Sequence, residues 1–438
     1  MPRSTNRRTF LKGVGATAAT TGLVGTASAY DYRTATRFAQ FNIQELETSQ
    51  VQEKGDETAA AAARVIQEAD PDILLINELT NNIQEGESTD TENVRAFIDN
   101  YLREPQADHL EGLSFPYTFQ PPSNTGVLPD DDYDFNKDGS AGELPGDAFG
   151  FGFYPGHYAF AVASQYPIVE DEIRTFQKFL WKDMPGNLMP VDDGSMHINK
   201  GEDDIWLTEE EAEVFRLSSK THVDVPFRVD GEIVHGLMSH PTPPGFDASN
   251  NFNGRWNHDE NRFWADYVAD ADYIYDDDGH EGGLDDDMYV LMGDMNAGPM
   301  SDRILHPSRS FFFENDDFYT EELPTSPGGR AHGHKYATRI DGDFEGVVEQ
   351  VDYVLPSPEL TYEDSGVMWP AFGRGQRELY EAVQNDGGAS DHRMVWADLN
   401  IEKGGYDGFD VGQDESDATS ADLRALLRSL LRAINASP

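Results

Sequence analysis

Seven short apolar runs, five to seven residues each, limit what this chain can fold into: Phe38–Ile43, Ile73–Asn77, Tyr158–Ala163, Val234–His240, Tyr289–Asp294, Val351–Leu355 and Met394–Leu399. Runs this short, set between turn-rich or helical stretches, read as buried strands. Between the first two lies the alanine-rich segment Glu57–Ala69, with Val65 and Ile66 as core candidates and Pro71 just beyond it. That pattern predicts a helix feeding a strand. A second helix is expected within Asn257–Tyr275, where Phe263, Trp264, Tyr267 and Val268 follow the helical period and Arg262 precedes Asp266 by one turn. Strands interleaved with helices predict an α/β (α+β) layered core.

The ends of the chain read differently. Residues 1–29 have the form of an export signal: Arg7 and Arg8 before Phe10-Leu11-Lys12, a small-residue apolar stretch from Gly13 to Gly25, and Ala27-Ser28-Ala29 as a cleavage site. The arginine pair resembles a twin-arginine signal, which predicts an exported protein, extracellular or at the cell surface. Residues 30–403 are expected to form one domain, 404–418 an acidic linker and 419–438 a C-terminal amphipathic helix. In that helix Leu423, Leu426, Leu427, Leu430, Leu431 and Ile434 form one stripe, with Arg424, Arg428 and Arg432 on another face. Docking on its own domain is the expected role, with a partner or a membrane surface as the alternatives.

Composition narrows the chemistry. The formal charge is −49 and the acids are spread along the chain, a surface suited to a salt-rich, halophilic milieu. At 1 M salt the Debye length falls to about 3 Å, so this charge does not by itself exclude a polyanionic substrate. The absence of cysteine removes disulfides, thiolate catalysis and cysteine-ligated zinc. Beyond the leader no stretch is apolar for the roughly 18 residues that a membrane-spanning helix needs.

Polar residues recur at the ends of the apolar runs: Asn42, Glu78, His240, Asp294 with Asn296, Asp352, then Asp391 and His392. In a layered sheet such residues converge on one rim. A hard divalent cation, Mg2+ or Mn2+, needs oxygen ligands, which Glu78 with Asn42 and Asp391 can supply. Asp294 is a base or water-positioning group, Asn296 can donate its amide hydrogens to a phosphoryl oxygen, His240 and His392 can stabilise the transition state, and Asp352 can orient an imidazole.

These blocks resemble the endonuclease/exonuclease/phosphatase superfamily with its deoxyribonuclease-I-like fold. The resemblance rests on Phe41-Asn42-Ile43, Asp72–Leu79, Ala161–Ile168, Ser239-His240, Gly293-Asp294-Met295-Asn296, Val351–Leu355 and Ser390-Asp391-His392, in the family's order over residues 37–400. It implies a four-layer sandwich of two mixed β-sheets packed face to face and flanked by helices. It also implies that Glu78 is the chief metal ligand, helped by Asn42 and Asp391, and that His240, Asp294, Asn296, Asp352 and His392 are catalytic. Histidine at position 240 is similar to the deoxyribonuclease and sphingomyelinase branches. Gln165 stands where many relatives place a basic residue.

Three further features belong to this chain. Arg216, Lys220 and His222 have even spacings within Val214–Val225, so they are expected on one strand face as substrate-phosphate contacts. Asp134, Asn136, Asp138 and Glu143, with Gly139, resemble the first half of a calcium loop and predict a structural Ca2+. Two long stretches rich in Gly, Pro and Asp, Glu104–His157 and Thr175–Glu213, are placed to wall the cleft.

The expected function is an exported metal-dependent phosphoesterase that hydrolyses phosphate esters by metal-assisted attack of water, with an extracellular nuclease acting on DNA or RNA as the alternative. A secreted binding protein that keeps the fold without catalysis is the third possibility.

Overall fold

The apolar runs fold as strands whose pairing brings their polar ends together. A computed structural model describes residues 35–401 apart from 83–91, 193, 195–200, 202, 246, 300–304, 342–346, 374–375 and 385–387. The expected export signal, acidic linker and C-terminal helix therefore lie outside the described residues. In chain order the strands of the two main sheets are β1 (Thr36–Leu46), β2 (Ile73–Leu79), β3 (Tyr117–Phe119), β4 (Phe160–Ser164), β5 (Arg174–Thr175), β6 (His222–Val229), β7 (Glu232–Ser239), β8 (Tyr289–Asp294), β9 (Asp352–Pro356), β10 (Thr361–Val367) and β11 (Val395–Asn400).

Among the described residues they form a six-stranded sheet, β10-β11-β1-β2-β4-β3, and a five-stranded sheet, β9-β8-β7-β6-β5. Both are mixed. β1 runs parallel to β2 but antiparallel to β11, and β8 runs parallel to β7 but antiparallel to β9.

Strand alternation explains the layers. Val290 and Met292 point from β8 into a core shared with Phe38, Phe41 and Leu75 of the other sheet. Tyr289 and Leu291, on the opposite face, join a second core with Phe263, Trp264 and Tyr267 of the helix Phe252–Val268. The helix Glu57–Ala69 has the bounds expected and buries Ala59, Ala62, Ala63, Val65 and Ile66 in the first core. Asp56 caps it by accepting the Ala59 amide at 2.8 Å, and Asp70 ends it in the left-handed conformation. Two mixed sheets with helices outside them give the expected four-layer α/β sandwich.

The helix expected within Asn257–Tyr275 instead covers Phe252–Val268. It starts earlier because Asp247, outside any helical pattern, accepts the amides of Asn253 and Gly254 at 2.8 and 3.0 Å. It stops earlier because the chain turns left-handed at Asp270. The expected ion pair Arg262–Asp266 is present at 2.9 Å. No helix among the described residues is long and apolar enough to cross a membrane.

Candidate active site

Strand direction decides which residues meet. The parallel pair β1 and β2 delivers its carboxyl ends, Asn42 and Glu78, to one edge, and the parallel pair β7 and β8 delivers His240 and Asp294. The antiparallel partners deliver their amino ends: Asp352 pairs with Asp294 across β8 and β9, and β11 enters beside β1 directly after Asp391 and His392. Gln40 joins the sheets near this edge, donating to Asn77 Oδ1 at 2.8 Å and Asp352 Oδ1 at 3.0 Å.

The side chains interlock. Asn42 Nδ2 donates to Glu78 Oε1 at 2.9 Å and to Asp294 Oδ2 at 3.0 Å. His240 Nε2 lies 3.5 Å from Asp294 Oδ2 and 3.9 Å from Glu78 Oε1. His392 Nε2 is 3.7 Å from Asp294 Oδ2, while its Nδ1 donates to Asp352 at 2.8 Å. Asp391 pairs with Arg339 at 3.2 Å and lies 3.9 Å from His392 Nε2. Asn296 donates its backbone N–H to Asp294 Oδ1 and its Nδ2 to the Pro241 carbonyl. Glu78, Gln44, Glu45, Asn296 and Tyr158 all line this cavity with positive φ, a conformation that costs non-glycine residues about 1–3 kcal/mol each and clusters at functional sites.

Burial and neighbouring charges together set the protonation states. It raises Glu78, against the Asn42 hydrogen bond, and raises Asp294 to about 6, against the pull of His392. Burial opposes the His392 imidazolium, but Asp352, Asp294 and Asp391 outweigh it and raise that group to about 10. His240 is driven the other way, well below the ordinary imidazole value, by burial together with Lys220 and His392. The buried Lys220 ammonium is also lowered by burial, against the pull of Glu260, Glu78 and Asp294.

The donor set suits a hard divalent cation. Oxygens of Glu78 and Asp294 and a ring nitrogen of His240 lie within 4.8 Å of one another, and a second group comprises Asp294, Asp352 and His392. Buried carboxylates this close repel one another, and a cation relieves that repulsion. Asn42 departs from the expected ligand geometry: its Oδ1 accepts the Gln44 amide and its Nδ2 faces the carboxylates, so here it organises Glu78 and Asp294.

Of the expected substrate-binding residues the structure brings only Lys220 to the cleft. The three do not share a strand face, because β6 begins at His222. Arg216 bonds Asn124 Oδ1 at 2.6 Å and stacks over Phe149. His222 is buried against Phe263 and Trp264, with Nε2 donating to the Glu260 carbonyl and Nδ1 accepting from Ser218. Gln165 lies beyond the opposite end of β2 from Glu78, its Nε2 on the Pro71 carbonyl.

In the expected calcium loop, Asp134, Asn136 and Asp138 accept the amides of Gly139, Asp138 and Ser140, so these side chains close turns. The carboxylates of Asp134, Asp138 and Glu143 are not among the groups that converge within 4.8 Å among the described residues. The loop's visible role is to carry Phe135 into the second core.

The composite site opens into a cavity of about 780 Å³ whose lining includes Lys220, Arg339, Phe135, Phe151 and Ile205. Sequence reading missed Arg339, Gln40 and Glu260. Gln40 alone left a signal, as a polar residue inside an apolar run. Glu260, buried on the helix Phe252–Val268, accepts from Ser219 N and Oγ at 2.7 and 2.8 Å and from Thr242 N at 2.6 Å. It therefore ties the segment carrying Lys220 to the one that follows His240.

The sequence pattern described as the Endonuclease/Exonuclease/phosphatase family matches residues 39–392. No curated protein matches the chain. Similar solved structures include an endonuclease/exonuclease/phosphatase from Beutenbergia cavernae, at 16% identity over 83% of this chain and 71% of that one, TM-score 0.45. Sphingomyelinase C from Streptomyces griseocarneus is 14% identical over 84% and 99%, TM-score 0.40. A Staphylococcus aureus beta toxin with bound magnesium ions is 13% identical over 83% and 99%, TM-score 0.40.

Proposed function

The chain belongs to the endonuclease/exonuclease/phosphatase family, and from that premise we propose that it is an exported metal-dependent phosphoesterase acting on a small phosphate ester. The observation that carries this reading is the convergence of Glu78, Asp294, His240 and His392 at the floor of one cavity. Glu78 would hold Mg2+ or Mn2+, with Asp391, whose charge is felt at Glu78 across the same cavity, beside it. A bound divalent cation supplies Lewis-acid polarisation of the phosphoryl group and neutralises charge on the ester oxygens.

The chain's own residues do the rest. Asp294, fixed by Asn42 and the Asn296 amide, positions the attacking water and takes its proton. His392, held by Asp352, and the buried Lys220 place positive charge where the phosphoryl oxygens become more negative. His240 offers Nε2 to the same region. A small substrate is supported over a polymer by the walls of the cavity and by its lining, in which Lys220 and Arg339 are the only lysine and arginine among the described residues. Nonspecific nucleic-acid binding draws on many such cations.

The test uses the purified chain in molar salt with magnesium or manganese, offered bis(4-nitrophenyl) phosphate, 4-nitrophenyl phosphate and plasmid DNA. Hydrolysis of an aryl ester, lowered about 100-fold or more in Glu78→Gln, is the expected result. Cleavage of none of the three, or an unchanged rate in the variant, sinks the reading; preferential cleavage of the plasmid moves it to a nuclease. Export through residues 1–29 is supported by the Arg7-Arg8 motif and is tested by whether Arg7→Lys with Arg8→Lys keeps the protein inside the cell.

A further inference from the structure

The catalytic groups occupy one end of the cavity, and its remaining wall is of a different kind. Phe135, Phe151, Ile205, Phe215, Phe252 and Trp256 line it. Phe135 and Phe151 come from the first long irregular stretch and Ile205 from the second, while Phe252 and Trp256 come from the helix Phe252–Val268, so loops and helix build this wall together.

The wall is preformed. Phe215 packs edge-on against Phe135 at 4.9 Å and against Trp256 at 5.0 Å, and Phe252 packs edge-on against Trp256 at 5.9 Å. Trp256 spends its indole N–H on the Leu217 carbonyl at 2.5 Å, so it offers the cavity apolar ring surface. Phe151 lines the cavity yet is 55% exposed, leaving a large apolar side chain at the rim for a ligand to cover. A cavity of about 780 Å³ with a polar floor and an aromatic wall fits one small ligand that has an anionic end and an apolar end.

We infer that this wall is a substrate subsite for an apolar group, aromatic or of comparable size, carried by the phosphate ester whose phosphorus lies over the Glu78–Asp294 floor. The inference rests on the phosphoesterase reading and names the substrate class for it. The lining amides of Asn136 and Asn253 already donate to Asp138 and to the Gly245 carbonyl, so the polar edges of a nucleobase set against these rings would lose hydrogen bonds to water.

The test varies one ester group and keeps the leaving group constant. Methyl, phenyl, 2-naphthyl and thymidine-5′ diesters of 4-nitrophenyl phosphate are compared by kcat/KM for release of 4-nitrophenolate. In each case water adds to phosphorus, the P–O bond to the 4-nitrophenyl group breaks and 4-nitrophenolate leaves. The naphthyl-to-methyl ratio is expected at about tenfold or above, with thymidine near methyl. That ratio should collapse toward one in Gly245→Trp and Ile205→Asp. Gly245 lines the cavity and its Cβ position meets nothing within 4 Å, so a side chain can start there without a clash at its first atom.

Hydrolysis of every ester with a ratio near one, or a ratio unchanged in both variants, overturns the subsite and leaves the phosphoesterase reading standing. A thymidine ester that outruns the naphthyl ester also overturns it. If no ester is cleaved, the phosphoesterase reading fails, and calorimetry with 2-naphthylmethylphosphonate against methylphosphonate decides the subsite. Preference for the naphthyl compound supports it, and equal or absent binding overturns it.

Discussion

Asp352 holds His392 from behind: its Oδ2 accepts from Nδ1 at 2.8 Å, which turns Nε2 toward Asp294, 3.7 Å away. The two acids sit opposite each other in the β8–β9 register, so the imidazole is held between carboxylates of adjacent strands. Asp352→Asn keeps the shape but removes the charge that favours the imidazolium. We expect kcat to fall about 100-fold or more with a smaller change in KM. Steady-state kinetics on an aryl phosphodiester check it, and a change confined to KM would show that His392 binds substrate without acting on the transition state.

Glu260 is the brace between the two loops that bear Lys220 and His240. In Glu260→Gln the amide group can accept only through its single oxygen, so Ser219 or Thr242 loses a buried acceptor, costing about 1–3 kcal/mol of stability. Lys220 also loses its leading favourable charge. Its ammonium, already lowered by burial, falls further, so the alkaline limb of the pH–kcat/KM profile should move to lower pH. A profile that merely scales down would assign Glu260 to stability alone.

His222 titrates in the opposite direction from His392. Burial lowers it to about 4, from an ordinary imidazole value of about 6.5. The folded state therefore binds its proton more weakly than the unfolded chain, so stability is full above pH 6.5 and is lost as the pH falls toward 4, by roughly 3 kcal/mol there. Denaturant melts from pH 7 to pH 4 should show a shallower acid loss in His222→Gln than in the wild type, and equal slopes would refute the assignment.

Gly293 precedes Asp294 where β8 passes β7. A Cβ there would sit 2.2 Å from the Ser239 carbonyl oxygen. Gly293→Ala must push the two parallel strands apart at the point where they present His240 and Asp294. We expect a loss of about 1–3 kcal/mol together with a large loss of activity, measured by thermal melting and turnover of the same preparation. Retained activity would show that the strands can part without disturbing the site.

Much of the site was readable because each residue lies where an apolar run ends. Asn42, Glu78, Asp294, Asp352 and His392 mark the places where a strand enters or leaves the core. Arg216 and His222 misled because even spacing implies one face only if the segment is a strand, and the strand starts too late. Gln40 and Asp352 are 312 residues apart, and no local pattern announces their hydrogen bond.

Local side-chain alternation and capping residues act between near neighbours, so seven of the eleven strands of the two main sheets, the helix Glu57–Ala69 and the polar side chains at strand ends could be read from the chain. Strand direction and register, which depend on pairing between distant segments, decided that those ends share one edge. Packing between distant segments makes Glu260 brace two loops, brings Arg339 to Asp391 and sets loop and helix aromatics beside the carboxylates. Those relationships are set by packing across the whole domain and leave no periodic trace in the chain.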